Sequence, residues 1–178
     1  MFWFVWLTAA MAADLTFVVV SDTQGTGADA SVNMETLPQL VEDMNAHEPD
    51  VALFPGGLVA GSDTLETHAL QWAEFEASTS AFVGEMLLLP GTSDLTAGEG
   101  SLEAWRAQFT SLPVDDSPIG EEGVSYYRDY GAVRVISIAS DQEIENQYRV
   151  SDAGLVWLER VLEESTDFEH VFVMTHHP

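Results

Sequence analysis

The chain has 178 residues, 46% of them hydrophobic, so it is long enough for one domain with a substantial core and too short to require two. Five arginines, no lysine and thirty acidic residues give a formal net charge of −25, which argues against nucleic acid as a partner because few cations could replace the counterions on phosphates. Cysteine is absent, which excludes a disulfide framework, a thiolate nucleophile and a cysteine-based zinc site.

The amino terminus has the pattern of a secretory leader. Residues 1–13 form an apolar run that is too short to span a bilayer and ends in small residues with an A-x-A pattern. We therefore predict a secreted or periplasmic protein with no transmembrane segment in the mature chain. No Lys or Arg precedes the run, so a first buried strand or a mispredicted start are the alternatives. Residues 14–178 are predicted to form the domain itself.

The first half of the domain alternates strands and helices. An apolar run over residues 15–20 stops at Asp22 and is typical of a strand buried on both faces. A polar stretch over residues 26–33 is predicted to be flexible, and a helix with one apolar face follows over residues 37–44. The apolar segment 51–54 predicts a second buried strand, which ends in Pro-Gly-Gly.

The next segments continue this order. They predict a helix over residues 63–82, a third strand over 86–89 and a short helix over 101–109. Strands that alternate with helices in this way form parallel sheets with right-handed crossovers.

The second half has a different pattern. Two strand-like runs, residues 124–130 and 132–138, predict an antiparallel hairpin. A last helix begins after Ser151, and a buried strand follows over residues 170–174. The hairpin belongs either to a second sheet or to one mixed sheet. The predicted fold class is therefore α/β, with a mostly parallel sheet flanked by helices plus a hairpin.

Several ring side chains are assigned to packing rather than to a site. Helical spacing predicts core positions for Trp72, Trp105 and Trp157. His47 and His68 also lie on helices and are predicted to be at the surface or partly buried.

Each of four predicted strands ends in a polar or glycine-rich turn. The turns are SDTQG, PGGLVAG, PGTSDL and THHP. A turn former or a helix cap would explain any one of these turns, but a turn of this kind follows all four strands. Because ligands meet open parallel sheets beyond the carboxyl ends of the strands, we expect Asp22, Gly57, Asp94 and His176 to lie on one rim.

In their order and spacing these segments resemble the calcineurin-like metallophosphoesterase family over nearly the whole chain. The family pattern is D-x-H, then G-D, then G-N-H-D/E, then a single His after a strand, then G-H-x-H. The resemblance implies the N-terminal two-thirds of an αββα sandwich and hydrolysis of a small phosphoester. It also implies a divalent metal cofactor, Mn, Fe or Zn, because two metal ions activate a water in this family.

The match to the metal ligands of the family is partial. Asp22 keeps the first Asp and His176 matches the later metal-binding His. Gln24 stands where the family has the His of D-x-H, and Asp94 keeps the acidic residue of G-N-H-D/E. The resemblance therefore implies that Asp22 and His176 bind metal, with Gln24 and Asp94 as weaker candidates.

The catalytic positions of the family are replaced. Gly57 stands where a bridging Asp would lie, and Ser93 occupies the position of the catalytic His. Glycine has no donor atom and serine is too weakly basic to replace an imidazole, so no catalytic residue is predicted. The G-H-x-H segment has no counterpart before Pro178, which implies a domain that is incomplete at its carboxyl end.

Three hypotheses follow for function. The first is a secreted metal-dependent phosphoesterase whose motifs have drifted, and the second is a catalytically inactive pseudoenzyme that serves as a binding or structural module. The third is an incomplete gene product. His177 is predicted to cap or pack rather than to bind metal, since neighbouring residues on a strand point apart. The oligomeric state is not predicted by the sequence.

We expect the protein to become more stable as salt is added. A net charge of −25 makes the folded chain repel itself, and the Debye length falls to about 3 Å near 1 M salt. Thermal melts in increasing sodium chloride measure this effect. A melting temperature that stays constant or falls would contradict it.

Overall fold

The computed structural model describes residues 15–27, 30–144 and 147–178. The predicted leader lies outside these residues. The helices are α1 (Leu37–Asn45), α2 (Leu65–Thr79), α3 (Ser101–Gln108) and α4 (Asp152–Glu163), with a 3-10 turn over Thr92–Leu95. The strands are β1 (Phe17–Val19), β2 (Gln24–Gly27), β3 (Ala30–Val32), β4 (Val51–Phe54), β5 (Glu85–Leu88), β6 (Tyr126–Tyr130), β7 (Val133–Ser137), β8 (Gln142–Ile144), β9 (Gln147–Arg149) and β10 (His170–Met174). In this part of the chain no helix is both long and apolar enough to span a membrane.

The first sheet contains the strands of the first half of the chain. Its order is β1-β4-β5, and both neighbours run parallel to β4. All four residues of β4 are buried, as expected for the central strand of a parallel sheet. This arrangement confirms the predicted strand-helix-strand order and places the carboxyl ends of the three strands at one edge.

The hairpin belongs to a second sheet, in the order β10-β7-β6. The strands β6 and β7 pair antiparallel, whereas β10 pairs parallel with β7, with Met174 opposite Ser137. The carboxyl ends of β7 and β10 therefore lie side by side, and the residues that follow them meet.

The two sheets face each other between layers of helices. Phe17 of β1 packs edge-on against Phe172 of β10, with ring centroids 5.0 Å apart, and the Tyr126 hydroxyl of β6 donates to a carbonyl of β5 at 2.8 Å. The opposite face of the second sheet packs through Ile136 against Trp157 of α4. The helices α1 and α2 contribute to the larger core with the first sheet. The fold is therefore the predicted partial αββα sandwich.

Two strands predicted to be buried lie at sheet edges. Val19 of β1 is 59% exposed, and Phe172 and Val173 of β10 are 39% and 45% exposed. The predictions that β1 is buried on both faces and that β10 is buried were therefore wrong, because both are edge strands of the described sheets. Together they line an apolar groove of about 270 Å³.

Two other predictions also differ from the structure. The segment 26–33, predicted to be flexible, contains the strand β3, which pairs with β2 and buries Val32 completely. His68 is fully buried rather than partly exposed, because its ring stacks on the Trp72 indole at 4.8 Å. Trp72, Trp105 and Trp157 are buried as predicted, and His47 is exposed.

Candidate metal site

The loops that follow β1 and β4 are hydrogen-bonded to each other. The Asp22 N–H donates to the carbonyl of Gly56 at 3.2 Å, and the Gln24 N–H donates to the carbonyl of Gly57 at 3.1 Å. Asp22 itself has a left-handed backbone, with φ of 57°, which aspartate tolerates better than most residues. The structure thus brings the first two predicted strand ends together at one rim.

Gly57 lies where the side chains of the first loop converge. A Cβ atom at this position would lie 2.8 Å from Gln24 Oε1 and 2.9 Å from Asp22 Oδ1. Gln24 Oε1 is buried and has no hydrogen-bond partner among the described residues. The carboxylate of Asp22 and the amide oxygen of Gln24 both lie close to Gly57. They are hard oxygen donors of the kind that divalent ions bind.

His176 approaches the same rim from the second sheet. Its Nδ1 lies 2.8 Å from the carbonyl of Pro55, and a carbonyl only accepts, so Nδ1 carries the proton. The lone pair of Nε2 is therefore free for a ligand. A Cβ atom at Gly91 would lie 2.7 Å from this Nε2 and also 2.7 Å from the backbone nitrogen of Gly57. The ring thus occupies the space that a side chain at Gly91 would need.

Asp94 lies beneath the rim with its side chain fully buried. Its carboxylate accepts hydrogen bonds from the backbone N–H groups of Gly57, Leu58, Val59 and Gly91, at 2.7 to 3.2 Å. Burial raises the pKa of Asp94 to about 6, and these four amides limit the rise. Asp94 therefore positions the loops after β4 and β5. Its role as a weaker metal ligand stays a prediction.

Ser93, which stands where the family has its catalytic His, is in contact with His68. The ring of His68 donates from Nε2 to the backbone carbonyl of Ser93 at 3.1 Å. Burial lowers the pKa of His68, which favours the neutral ring in this place. Ser93 is thus held through its main chain in the 3-10 turn that begins at Thr92.

A second group of ligand atoms lies on the other side of His176. Asp141, His176 and His177 each place one carboxylate oxygen or ring nitrogen within 4.8 Å of the others. His177 Nε2 lies 3.1 Å from Asp141 Oδ1. Thr92 Oγ1 lies 2.9 Å from the same nitrogen and donates to Asp141 at 3.0 Å. Burial raises the pKa of Asp141, while the two histidines lower it.

Sequence reasoning missed this group for two reasons. The strand β10 ends at Met174, so the alternation that predicts opposite directions for neighbouring side chains does not extend to His176 and His177, whose rings lie 4.7 Å apart. Asp141 follows β7, which the sequence identified only as half of a hairpin. The same signal that selected Asp22, an acidic residue just after a buried strand, would have found Asp141.

Solved structures share this fold. A dimetal phosphatase from Danio rerio superposes with a TM-score of 0.64 at 12% identity, over 92% of this chain and 70% of that one. A purple acid phosphatase from yellow lupin (Lupinus luteus) superposes with a TM-score of 0.59 at 16% identity, over 92% of this chain and 30% of that one. No protein-family model matches the sequence, and no curated protein sequence matches it. The chain therefore has the calcineurin-like metallophosphoesterase fold, as the resemblance implied.

The stability that Asp94 contributes is expected to depend on pH. Its folded pKa is about 6, and an unfolded aspartate titrates near 3.9, so the folded state binds the proton more tightly. The contribution is therefore largest below about pH 4 and is lost as the pH rises through 6. Relative to Asp94→Asn, the free energy of unfolding of the wild type should fall by about 3 kcal/mol between pH 4 and 7. Urea denaturation of both proteins at the two pH values measures this difference in the free energy of unfolding. A difference that grows with pH would mean that the amide hydrogen bonds outweigh burial.

The contact between His176 and Gly91 can be tested by a double-mutant cycle. Gly91→Ala places a methyl group 2.6 Å from His176 Cε1, and we expect it to cost about 1–3 kcal/mol of stability through overpacking. Part of this loss should disappear in the background of His176→Ala, since the ring is then absent. A coupling of about 0.5 kcal/mol or more is expected from chemical denaturation. Strictly additive effects would show that the ring does not occupy the rim.

Proposed function

We propose that this protein is a phosphoesterase-type protein that binds one divalent metal ion at the rim and, with it, a small phosphoester, and whose hydrolytic turnover is close to background. The observation that carries the proposal is the convergence of Asp22, Gln24 and His176 on adjacent glycines at the carboxyl ends of the strands. The dimetal phosphatase from Danio rerio supports the same class of chemistry through its shared fold.

The charge of the protein favours a metal-dependent function. An anionic phosphoester would be repelled by a chain of net charge −25 unless a bound cation reversed the local field. Four of the five arginines form ion pairs with carboxylates at other positions: Arg106, Arg128, Arg134 and Arg160. A metal ion at the rim would supply the positive charge for phosphate oxygens and would acidify a bound water.

Two substitutions account for the slow turnover. At Gly57 no carboxylate is present to bridge a second metal ion, and the side chains of Asp22 and Gln24 fill the adjacent space. At Ser93 no imidazole is available to protonate a leaving group. Binding and positioning of the phosphoester are therefore retained, whereas the acid-base step and the second metal are lost.

A pseudoenzyme that acts as a binding module is the second candidate. The buried carboxylate of Asp94 favours it, because hydrogen bonds to four backbone amides commit this side chain to the loop structure. The two candidates differ in whether phosphate binds in a metal-dependent manner.

Calorimetry with inorganic phosphate and a turnover assay with p-nitrophenyl phosphate test the proposal. After removal of metal by a chelator, phosphate should bind only when Mn²⁺, Zn²⁺ or Fe²⁺ is restored, and hydrolysis should stay near background. His176→Ala should abolish phosphate binding, while His47→Ala, which removes an exposed imidazole, should not. Ser93→His alone should leave turnover near background, because the bridging carboxylate is still missing. Gly57→Asp should not restore turnover, because a Cβ atom at this position would lie 2.8 Å from Gln24 Oε1 and 2.9 Å from Asp22 Oδ1.

Two results would contradict the proposal. Absence of metal-dependent phosphate binding would favour the binding module. Robust metal-dependent turnover by the wild type, abolished by Asp22→Ala, would show that the substitutions at positions 57 and 93 do not impair hydrolysis.

A further inference from the structure

We infer that Asp141, His176 and His177 form a zinc site, in which Asp141 and His177 join His176 as protein ligands of the metal ion. The inference deepens the proposed function, on which it rests for what the ion does but not for where the ion binds. It assigns Asp141 and His177 a role that the motif pattern does not give them.

The distances are close to those of a metal site. A tetrahedral zinc ion with ligands at about 2.0–2.2 Å separates those ligand atoms by roughly 3.3–3.6 Å. His177 Nε2 and Asp141 Oδ1 already lie 3.1 Å apart, and all three ligand atoms lie within 4.8 Å of one another. Side-chain adjustments of about 1 Å would bring the three to bonding distance.

One oxygen of the Asp141 carboxylate has no hydrogen-bond partner among the described residues. The Asp141 side chain is 10% exposed, and this oxygen is Oδ2, which is buried. An unpaired buried carboxylate oxygen costs more than a neutral one because it lacks both water and a donor. The hydrogen bond from Thr92 and the contact with His177 both involve Oδ1. A cation bound by this carboxylate would give Oδ2 the partner that it lacks among the described residues.

The ligand side chains are held in place by contacts outside the group. The backbone N–H of His177 donates to Ser140 Oγ at 2.8 Å. The His177 ring stacks on Tyr148 with centroids 4.5 Å apart. The Nδ1 of His176 donates to the carbonyl of Pro55, which orients the ring and leaves Nε2 free. Hydrogen bonds of this type to a ligand histidine fix its tautomer and raise its basicity.

The chemistry of the three ligands fits zinc. Two imidazoles and one carboxylate are a common set of protein ligands in catalytic zinc sites, which keep a fourth position open. Magnesium, calcium and manganese prefer oxygen ligands. Within the group of metals that the sequence resemblance implies, this set therefore favours Zn²⁺ and Fe²⁺ over Mn²⁺, and Zn²⁺ serves as the probe because it has no redox chemistry.

A groove lies beside His177. His177 lines a groove of about 430 Å³ together with Arg149, whose guanidinium brings positive charge to an otherwise acidic protein. Leu155, Leu158 and Val173 line the same groove. A phosphoester with an apolar alcohol group matches these surfaces.

Zinc calorimetry on the full chain, with charge-matched variants, tests the site. Asp141→Asn and His177→Gln should each weaken Zn²⁺ binding at least about tenfold. Asp43→Asn, at an exposed position of α1, removes the same charge as Asp141→Asn and should leave the affinity within about threefold. The visible spectrum of the Co²⁺-substituted protein should change in the first two variants and not in the third. Melting curves without metal show whether each variant folds, and His177→Gln decides the question if Asp141→Asn does not fold.

The outcomes separate the site from the function. Loss of zinc affinity in Asp22→Asn with normal affinity in Asp141→Asn and His177→Gln would overturn the site and leave the motif residues as ligands. Absence of zinc binding by the wild type would also overturn it. If zinc binds as expected but inorganic phosphate does not bind the zinc-loaded protein, the site stands and the proposed function fails. Phosphate binding that requires Mn²⁺ and Asp22 would support the function without the site.

Discussion

Four backbone amides donate to the buried carboxylate of Asp94, and the geometry of the rim depends on this interaction. Three of the amides belong to the loop after β4 and one to the loop after β5. A carboxylate without water must have its hydrogen bonds supplied by the protein, since each unpaired buried polar group costs about 1–3 kcal/mol. The two loops are therefore held together at Gly57 and Gly91, the positions against which Asp22 and His176 pack.

Side chains pack closely against the rim at Gly57 and Gly91. Neither Gly57 nor Gly91 leaves room for a Cβ atom, because oxygen atoms of the first loop crowd one and the ring of His176 crowds the other. The backbone arrangement of a dimetal phosphatase fold is thus compatible with a sequence that lacks the bridging carboxylate. Fold and chemistry are separable in this way because packing fixes the first and individual side chains fix the second.

His176 lies between two possible sets of metal ligands. On one side are Asp22 and Gln24, which follow the motif order, and on the other are Asp141 and His177, which do not. Only one lone pair on the imidazole is free, since the other nitrogen is protonated toward Pro55. The ring therefore serves one ion at a time. A single ion with an open coordination position would suit the proposed phosphate binding and weak hydrolysis.

Sequence periodicity determined most of the fold. The alternation of apolar strands and amphipathic helices predicted the parallel first sheet, and the strand ends predicted that Asp22, Gly57, Asp94 and His176 meet. Local patterns report which residues prefer a strand, but they do not report which strands become neighbours. For this reason the sequence could not show that β1 and β10 are edge strands, or that the hairpin forms a separate sheet.

The tertiary structure alone decided the roles of the polar residues. Asp94 and Asp141 look alike in sequence, each an acidic residue a few positions after a strand. In the fold, four amides surround Asp94, whereas Asp141 faces two imidazoles and has one oxygen without a partner among the described residues. The amide partners of Asp94 lie up to 37 residues away along the chain, and His177 lies 36 residues from Asp141. Since pKa, hydrogen bonding and metal affinity depend on such distant neighbours, the sequence identifies the candidates and only the fold assigns their chemistry.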